Sequence, residues 1–326
     1  NTPKIINFIR SLYGDETYLP LHAPIFIGNE KKYLTECIDS TYVSTIGPYV
    51  NELESSISEY TNSKRAIACV NGTSALHLAL ELINLNEGHE VITQPLSFVA
   101  TVNSILYTGA SPVFVDISKD TLGMCPYSLK AFIDENCLMT KKGLINKNTQ
   151  KIIKAVVPMH TFGFPCEVDA IQGICKEFGL HLIEDAAEGL GSFYNDMHVG
   201  TFGSIGVISF NGNKIATAGG GGILLFNDDK LADMAKHLSN QAKLPSDFEF
   251  NHDQVGYNYR MPNVNAAIAL AQLEKIENFV SFKRELSEKY SDFFSNMGVC
   301  FFNEPSNCRS NYWLNTLIME NETERN

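Results

Sequence analysis

Short apolar runs bounded by glycine, proline or polar residues alternate along most of this chain with stretches of helical periodicity, and that alternation constrains the fold more than any other feature. Parallel strands need crossover connections, so strand–helix–strand repetition predicts an α/β protein with a mainly parallel sheet covered by helices on both faces. The runs predict seven strands at 66–70, 91–93, 113–115, 152–158, 180–184, 206–210 and 222–226, with helices at 73–85, 168–178 and 230–240 between them. Residues 98–107 also have helical apolar spacing, and the polar stretch 139–150 reads as a loop. After about Leu244 the character changes to a loop rich in acids and amides. One long amphipathic helix follows over 264–296, with a break near Ser281, and would bridge to a smaller domain. This gives a large domain over 1–245, opening with a short helix up to Tyr13, and a linker, bridging helix and small α/β domain over 246–326. A chain of 326 residues with 44% apolar content can bury cores of that size.

Composition narrows the functional classes. A formal net charge of −12 without a cluster of Lys and Arg argues against nucleic acid or an anionic membrane as partner. Eight cysteines lie scattered with no C-x-x-C and no His-rich spacing, which favours reduced thiols in a cytoplasmic protein over a disulfide framework or a zinc site, and no metal is expected. No apolar run approaches membrane-spanning length.

Three segments carry chemistry. The run S-F-N-G-N-K-I-A-T-A-G-G-G-G from Ser209 sets Lys214 between a strand and four consecutive glycines. An amine in a desolvated pocket loses its proton easily and attacks carbonyls, while a surface lysine before a flexible loop is the plainer reading. In L-H-L-I-E-D-A-A-E-G-L-G from Leu180, Asp185 falls at the carboxyl end of a strand, where ligands sit in open parallel sheets. A carboxylate there can keep a pyridinium nitrogen protonated, or simply cap the next turn. In A-I-A-C-V-N-G-T-S-A-L-H from Ala66, a glycine turn at Gly72 leads into a helix opening at Thr73 and Ser74, whose free amides suit a phosphate. An ordinary N-cap at Thr73 or Ser74 needs no ligand. The segment matches neither a P-loop nor G-x-G-x-x-G.

With T-I-G-P-Y-V from Thr45 and Glu52 beyond it, Q-P-L-S-F-V-A-T from Gln94 and G-Y-N-Y-R-M from Gly256, these motifs make the chain resemble the DegT/StrS-like family of pyridoxal-phosphate-dependent sugar-nucleotide aminotransferases. The resemblance runs from about Leu21 to Trp313. The P-L-S-F form is similar to a subgroup acting on nonulosonic acid precursors such as legionaminic acid. The resemblance implies fold type I, as in aspartate aminotransferase, with one antiparallel strand in the large sheet.

It also implies roles. Lys214 would bind pyridoxal 5′-phosphate covalently as a Schiff base and shuttle the proton, with pyridoxamine phosphate as intermediate. Asp185 would pair with the ring nitrogen. Gly72, Thr73, Ser74 and Ser209 would hold the phosphate, Phe98 would stack on the ring, and Glu188 would lie near the phenolic oxygen. Asn258 would reach the phosphate of the neighbouring subunit, making the active site a property of a homodimer. Ser44, Thr45, Tyr312 and Trp313 are candidate substrate contacts. Plainer readings stand beside these: core for Phe98 and for the single tryptophan, a polar loop for Asn258, and a structural histidine for His160.

The chain departs from the family pattern at Ala216 and Ala218, where a larger apolar residue and a threonine are usual, and at Glu188, where relatives often carry histidine or glutamine. Relatives also continue for some tens of residues past Glu320, so the small domain is expected to be incomplete. The reading is an aminotransferase moving an amino group from an amino acid, glutamate foremost, to the 4-keto carbon of a nucleotide-linked deoxysugar for surface glycans or nonulosonic acids. Two alternatives remain: a pyridoxamine-phosphate-dependent sugar dehydratase, against which Lys214 counts because that subset carries histidine there, and a non-catalytic member binding the cofactor or a sugar nucleotide as a regulator.

Overall fold

The computed structural model describes residues 2–14, 16, 18–246 and 248–325. Three helices come first, α1 (Thr2–Tyr13), α2 (Glu30–Asp39) and α3 (Pro48–Thr61). The sheet region runs β1 (Arg65–Cys69), α4 (Gly72–Glu81), β2 (His89–Thr93), α5 (Val99–Tyr107), β3 (Ser111–Phe114), α6 (Pro126–Asn136), β4 (Cys137–Thr140), β5 (Gly143–Asn146) and β6 (Ile152–Val157). It continues through α7 (Val168–Phe178), β7 (His181–Asp185), β8 (Phe193–Tyr194), β9 (Met197–His198), β10 (Ile205–Ser209), β11 (Gly222–Phe226) and α8 (Asp229–Ser239). The remainder holds α9 (Asn263–Leu273), α10 (Ile276–Ser295), β12 (Cys300–Phe301), β13 (Cys308–Arg309), β14 (Leu317–Ile318) and α11 (Glu322–Arg325).

All seven expected strands form, in the order β1-β11-β10-β7-β6-β2-β3. Pairing is parallel from β10 through β7, β6 and β2 to β3, and β11 runs antiparallel to both β1 and β10, a reversed strand as the resemblance implied, with β5 a second one against β6. Strands β10 and β11 are buried at every position, as expected of strands covered on both faces. Because β2, β6, β7 and β10 run parallel, their carboxyl ends meet along one edge. Val207 pairs with Asp185, so Ser209 lies just beyond Asp185 on that edge.

Three expectations need correction. The stretch read as a loop contains the hairpin of β4 and β5, with Cys137 opposite Asn146, and β5 extends the sheet from β6. Its inward face is partly polar, because Asn146 Nδ2 donates 2.8 Å to the buried Glu90 carboxylate, and that hid the strand pattern. The helix after the large domain breaks at Glu274 and Lys275 rather than Ser281. There the Glu274 carboxylate accepts hydrogen bonds from Asn29 (2.7 Å) and Tyr33 (2.5 Å), tying the junction to α2. Helix α4 starts one residue earlier than expected and is capped by neither Thr73 nor Ser74: Asn71 is the N-cap, its side chain accepting the Ser74 amide at 2.7 Å.

Helix α1 buries no residue and rests on α10 through Phe8, which stacks on Phe293 with centroids 3.9 Å apart. The segment after β13 packs back on the large sheet. Ser310 Oγ donates to the Gly163 carbonyl at 2.9 Å, and the Asn311 amide donates to Ser192 Oγ at 3.0 Å.

Candidate active site

The carboxyl edge of the sheet gathers two buried acids and one amine. Asp185 ends β7, its amide held by the Pro158 carbonyl and its carbonyl by the His160 amide. Its Oδ2 accepts the Thr101 hydroxyl at 2.5 Å and its Oδ1 accepts the Ala187 amide at 3.1 Å. Burial pushes the Asp185 carboxyl above the usual range, opposed by the Thr101 and Ala187 hydrogen bonds and by the charge of Lys214.

Lys214 lies in the turn that follows β10, with its amide donating 3.0 Å to the Asn211 carbonyl. Its Nζ pairs with Glu188 Oε1 at 3.0 Å and stands 4.2 Å from the Trp313 ring centroid. The indole is fixed in turn, since Trp313 Nε1 donates 2.7 Å to the carbonyl of Asn213, the residue before the lysine. Glu188 Oε2 accepts the Phe162 amide at 2.7 Å. Burial raises the Glu188 carboxyl, and the Lys214 amine opposes that rise.

The start of α4 meets the end of β10 at Gly72 and Ser209. The amides of Gly72 and Thr73, in the first turn of α4, have no intrahelical acceptor and carry the positive end of the helix dipole. The fit at Gly72 is tight, because a Cβ there would come 3.0 Å from Ser209 Cβ and press on that side chain. Ser209 Oγ, at the end of β10, accepts the Asn211 amide at 3.3 Å, which leaves its own proton free to be donated toward the helix start. Phe98 precedes α5 and is 63% exposed, so the core reading of this ring fails. An open ring, a buried carboxylate, a free helix start and an amine along one edge fit a planar, phosphorylated, cationic ring such as pyridoxal phosphate.

Other candidates lie elsewhere. Asn258 forms an isolated bridge with Asn240, and the next residue, Tyr259, accepts the Val70 amide at 2.8 Å; no hydrogen bond links Asn258 to Lys214 or Asp185 among the described residues. The Ser44 carbonyl accepts the Asn263 amide at 2.6 Å. Thr45 accepts from Arg260, and both line a cavity of about 220 Å³ that also takes in Glu54 and Lys236 but not Lys214. Tyr312 is buried, with its hydroxyl accepting the Glu304 amide at 3.0 Å and its ring against Phe164, so of this pair only Trp313 meets the lysine. His160 is structural. Its Nδ1 accepts the Cys166 amide at 3.2 Å, which puts the proton on Nε2, where Glu184 takes it at 3.1 Å.

Two residues of the site carry no assigned role in the sequence reading. Thr101 lies inside Q-P-L-S-F-V-A-T, in the first turn of α5 and buried, and its place within that motif was the available signal. Asn311, in S-N-Y-W-L-N, donates from Nδ2 to the carbonyls of Glu188 (2.8 Å) and Leu190 (2.9 Å) and accepts the Trp313 amide at 2.8 Å on Oδ1. It locks the loop carrying Glu188 to the ring beside Lys214, a long-range link with no local signature.

Comparison with known proteins gives concordant results. A sequence model of the DegT/DnrJ/EryC1/StrS aminotransferase family matches residues 25–326. The chain is 37% identical to a GDP-perosamine synthase of Vibrio cholerae over 94% of its own length and 79% of that protein's. It is 38% identical to EpsN of Bacillus subtilis strain 168, a putative pyridoxal phosphate-dependent aminotransferase, over 92% of the chain and 75% of the relative. Among solved structures it resembles Helicobacter pylori PseC, an aminotransferase involved in the biosynthesis of pseudoaminic acid, with a TM-score of 0.82, 27% identity and coverage of 92% and 77%.

Proposed function

Because the chain belongs to the DegT/DnrJ/EryC1/StrS aminotransferase family, a family dependent on pyridoxal phosphate, we propose that it transfers an amino group from glutamate to the 4-keto carbon of a nucleotide-linked deoxysugar. The relatives named for GDP-perosamine and pseudoaminic acid support that substrate class and a role in building surface glycans. The observation that carries the reading is Lys214 Nζ paired at 3.0 Å with a buried acid, Glu188, while a second buried acid, Asp185, lies close enough to feel the same charge.

When bound, pyridoxal phosphate supplies an electrophilic carbonyl and a ring that accepts an electron pair. Asp185 would hold a proton at the ring nitrogen. Gly72, Thr73, Ser74 and Ser209 would bind the phosphate, and Phe98 would cover one ring face. Glu188 Oε1 is the acceptor that can take a proton from Lys214 Nζ and leave the amine neutral and nucleophilic. Lys214 Nζ is then the base that moves the proton in both half-reactions, and the indole of Trp313 shields it from water.

The working enzyme is proposed to be a cytoplasmic homodimer with a shared site. Phe98 at 63%, Val255 at 80% and Phe248 at 92% are each exposed, and burying such side chains against a second copy would favour a dimer. Asn258 would then reach the phosphate site of the partner. Lys214→Ala is expected to abolish transfer from glutamate to a nucleotide 4-ketosugar while leaving the dimer intact in gel filtration. Borohydride reduction of the loaded enzyme should place the cofactor on the peptide containing Lys214, and transfer that persists in Lys214→Ala refutes the assignment.

A further inference from the structure

Met159, two residues after β6, touches two groups of the site at once. It pairs with Asp185 in an isolated parallel bridge, and it is buried. Its thioether faces the loop that leads into α5: Sδ accepts the Phe98 amide at 3.4 Å and lies 3.5 Å from the Ser97 hydroxyl. Ser97 has one proton to give, and Thr101 Oγ1 at 3.0 Å competes with the sulfur for it. The other end of the loop returns the contact, because Gln94 Oε1 accepts the Met159 amide at 3.0 Å. Gln94 is fixed in turn, its Nε2 donating to the Leu96 carbonyl at 2.8 Å and to Thr161 Oγ1 at 3.1 Å. The Q-P-L-S-F loop thus closes around one residue, held by the Met159 backbone at position 94 and by its sulfur at position 98.

Phe98 needs such a tie. Its side chain is largely exposed, so packing does not fix where the ring stands, and its backbone must. We propose that Met159 is a positioning residue for a flat ring ligand: its backbone places it beside Asp185, its sulfur holds Phe98, and the two together set the gap between the carboxylate and the covering ring. What fills that gap, a phosphorylated pyridine, rests on the aminotransferase reading; the closure of the loop around Met159 does not.

Met159→Leu keeps the volume of the side chain and removes the acceptor, so the fold should tolerate it. Two readouts start from cofactor-free protein and need no turnover. Hydrogen exchange over residues 94–101 should quicken in Met159→Leu, because the Phe98 amide loses its acceptor. Pyridoxal phosphate affinity, measured by equilibrium dialysis, should fall about twofold to tenfold, the range that one hydrogen bond implies. Met159→Gln, which returns an acceptor at similar reach, should recover part of that loss. Phe98→Ala should also weaken binding, and adding Met159→Leu to it should cost nothing further, since a residue that acts through the ring has no effect once the ring is gone. A plain structural tie would lower the melting temperature of Met159→Leu with affinity unchanged, and that result overturns the proposal. So does unchanged exchange over 94–101, or a loss of affinity that is the same with and without the Phe98 ring. If the parent binds pyridoxal phosphate and Met159→Leu binds it equally well, the positioning role falls and the aminotransferase reading stands. A parent that binds none refutes that reading and the positioning role with it.

Discussion

Thr101→Val removes one hydroxyl and keeps the shape, and its effect should depend on pH in a way that identifies Asp185 as ionised. Thr101 Oγ1 donates 2.5 Å to Asp185 Oδ2 and also accepts the Ser97 hydroxyl at 3.0 Å, and Asp185 is buried. A hydrogen bond to a charged group contributes about 1.5–3 kcal/mol and one to a neutral group about 0.5–1.5 kcal/mol. Its removal should raise the Asp185 pKa further, since the anion loses more than the neutral acid does. Burial already holds that pKa above the usual carboxylate value. A raised folded-state pKa in an acid means stability that is present at low pH and lost as pH rises through it. The variant should therefore lose about 1–2 kcal/mol more, relative to the parent, near pH 8 than at a pH low enough to protonate Asp185 in both. Urea denaturation of the cofactor-free protein, followed by circular dichroism across that range, measures the difference. Thr101→Ser keeps the donor and should follow the parent. A Thr101→Val deficit that is the same at every pH would show that the hydroxyl does not act through the Asp185 charge.

Gly163→Ala should be severe, because Gly163 has φ +91° and a Cβ there would overlap Asn311 Oδ1. A loss of about 2–5 kcal/mol in urea is expected from left-handed strain plus overpacking. Gly72→Ala sits in a first helical turn, where alanine is normally the better residue, so stability should change by less than about 1 kcal/mol. Cofactor affinity, measured by equilibrium dialysis, should nevertheless fall about tenfold as Ser209 is pushed away from the helix start. His198 is buried with Nδ1 facing the Val199 carbonyl and Nε2 accepting the Gly191 amide, and burial holds it down to about 4. A lowered folded-state pKa in a base means stability that is full above about 6.5 and is lost as pH falls toward about 4. His198→Gln should flatten that slope in the unfolding free energy against pH.

What was legible in the sequence follows the range of the forces involved. Strands β10 and β11 announce themselves because both faces are apolar, and Asp185, expected at the carboxyl end of a strand, does end β7, with Val207 of β10 beside it. The β4–β5 hairpin was missed because its inward side relies on the Asn146–Glu90 hydrogen bond, which looks polar in one dimension. The break after α9 was misplaced because it is set by Asn29 and Tyr33, more than two hundred residues away, binding Glu274. Asn311 is the same case at the site: its partners are backbone carbonyls at 188 and 190, and a carbonyl leaves no mark on the sequence.

The distribution of charge at the sheet edge explains why the pocket suits a cationic ring. Two buried acids share one amine, and each is pushed toward its neutral form by burial. Geometry assigns the amine to Glu188 at 3.0 Å, while Asp185 receives only the neutral donors Thr101 and Ala187. Those two donors favour the anion, as do the charges of Lys214 and His160, yet burial outweighs them and no ion pair to Asp185 forms among the described residues. A protonated ring nitrogen placed against it would relieve burial as well as gain a charge-assisted hydrogen bond. Were the Lys214 amine to lose its charge on binding a carbonyl, Glu188 would lose its counter-charge, and burial would then favour its neutral form more strongly. The two acids thus divide the work by their partners rather than by their chemistry, and exchanging those partners would exchange their roles.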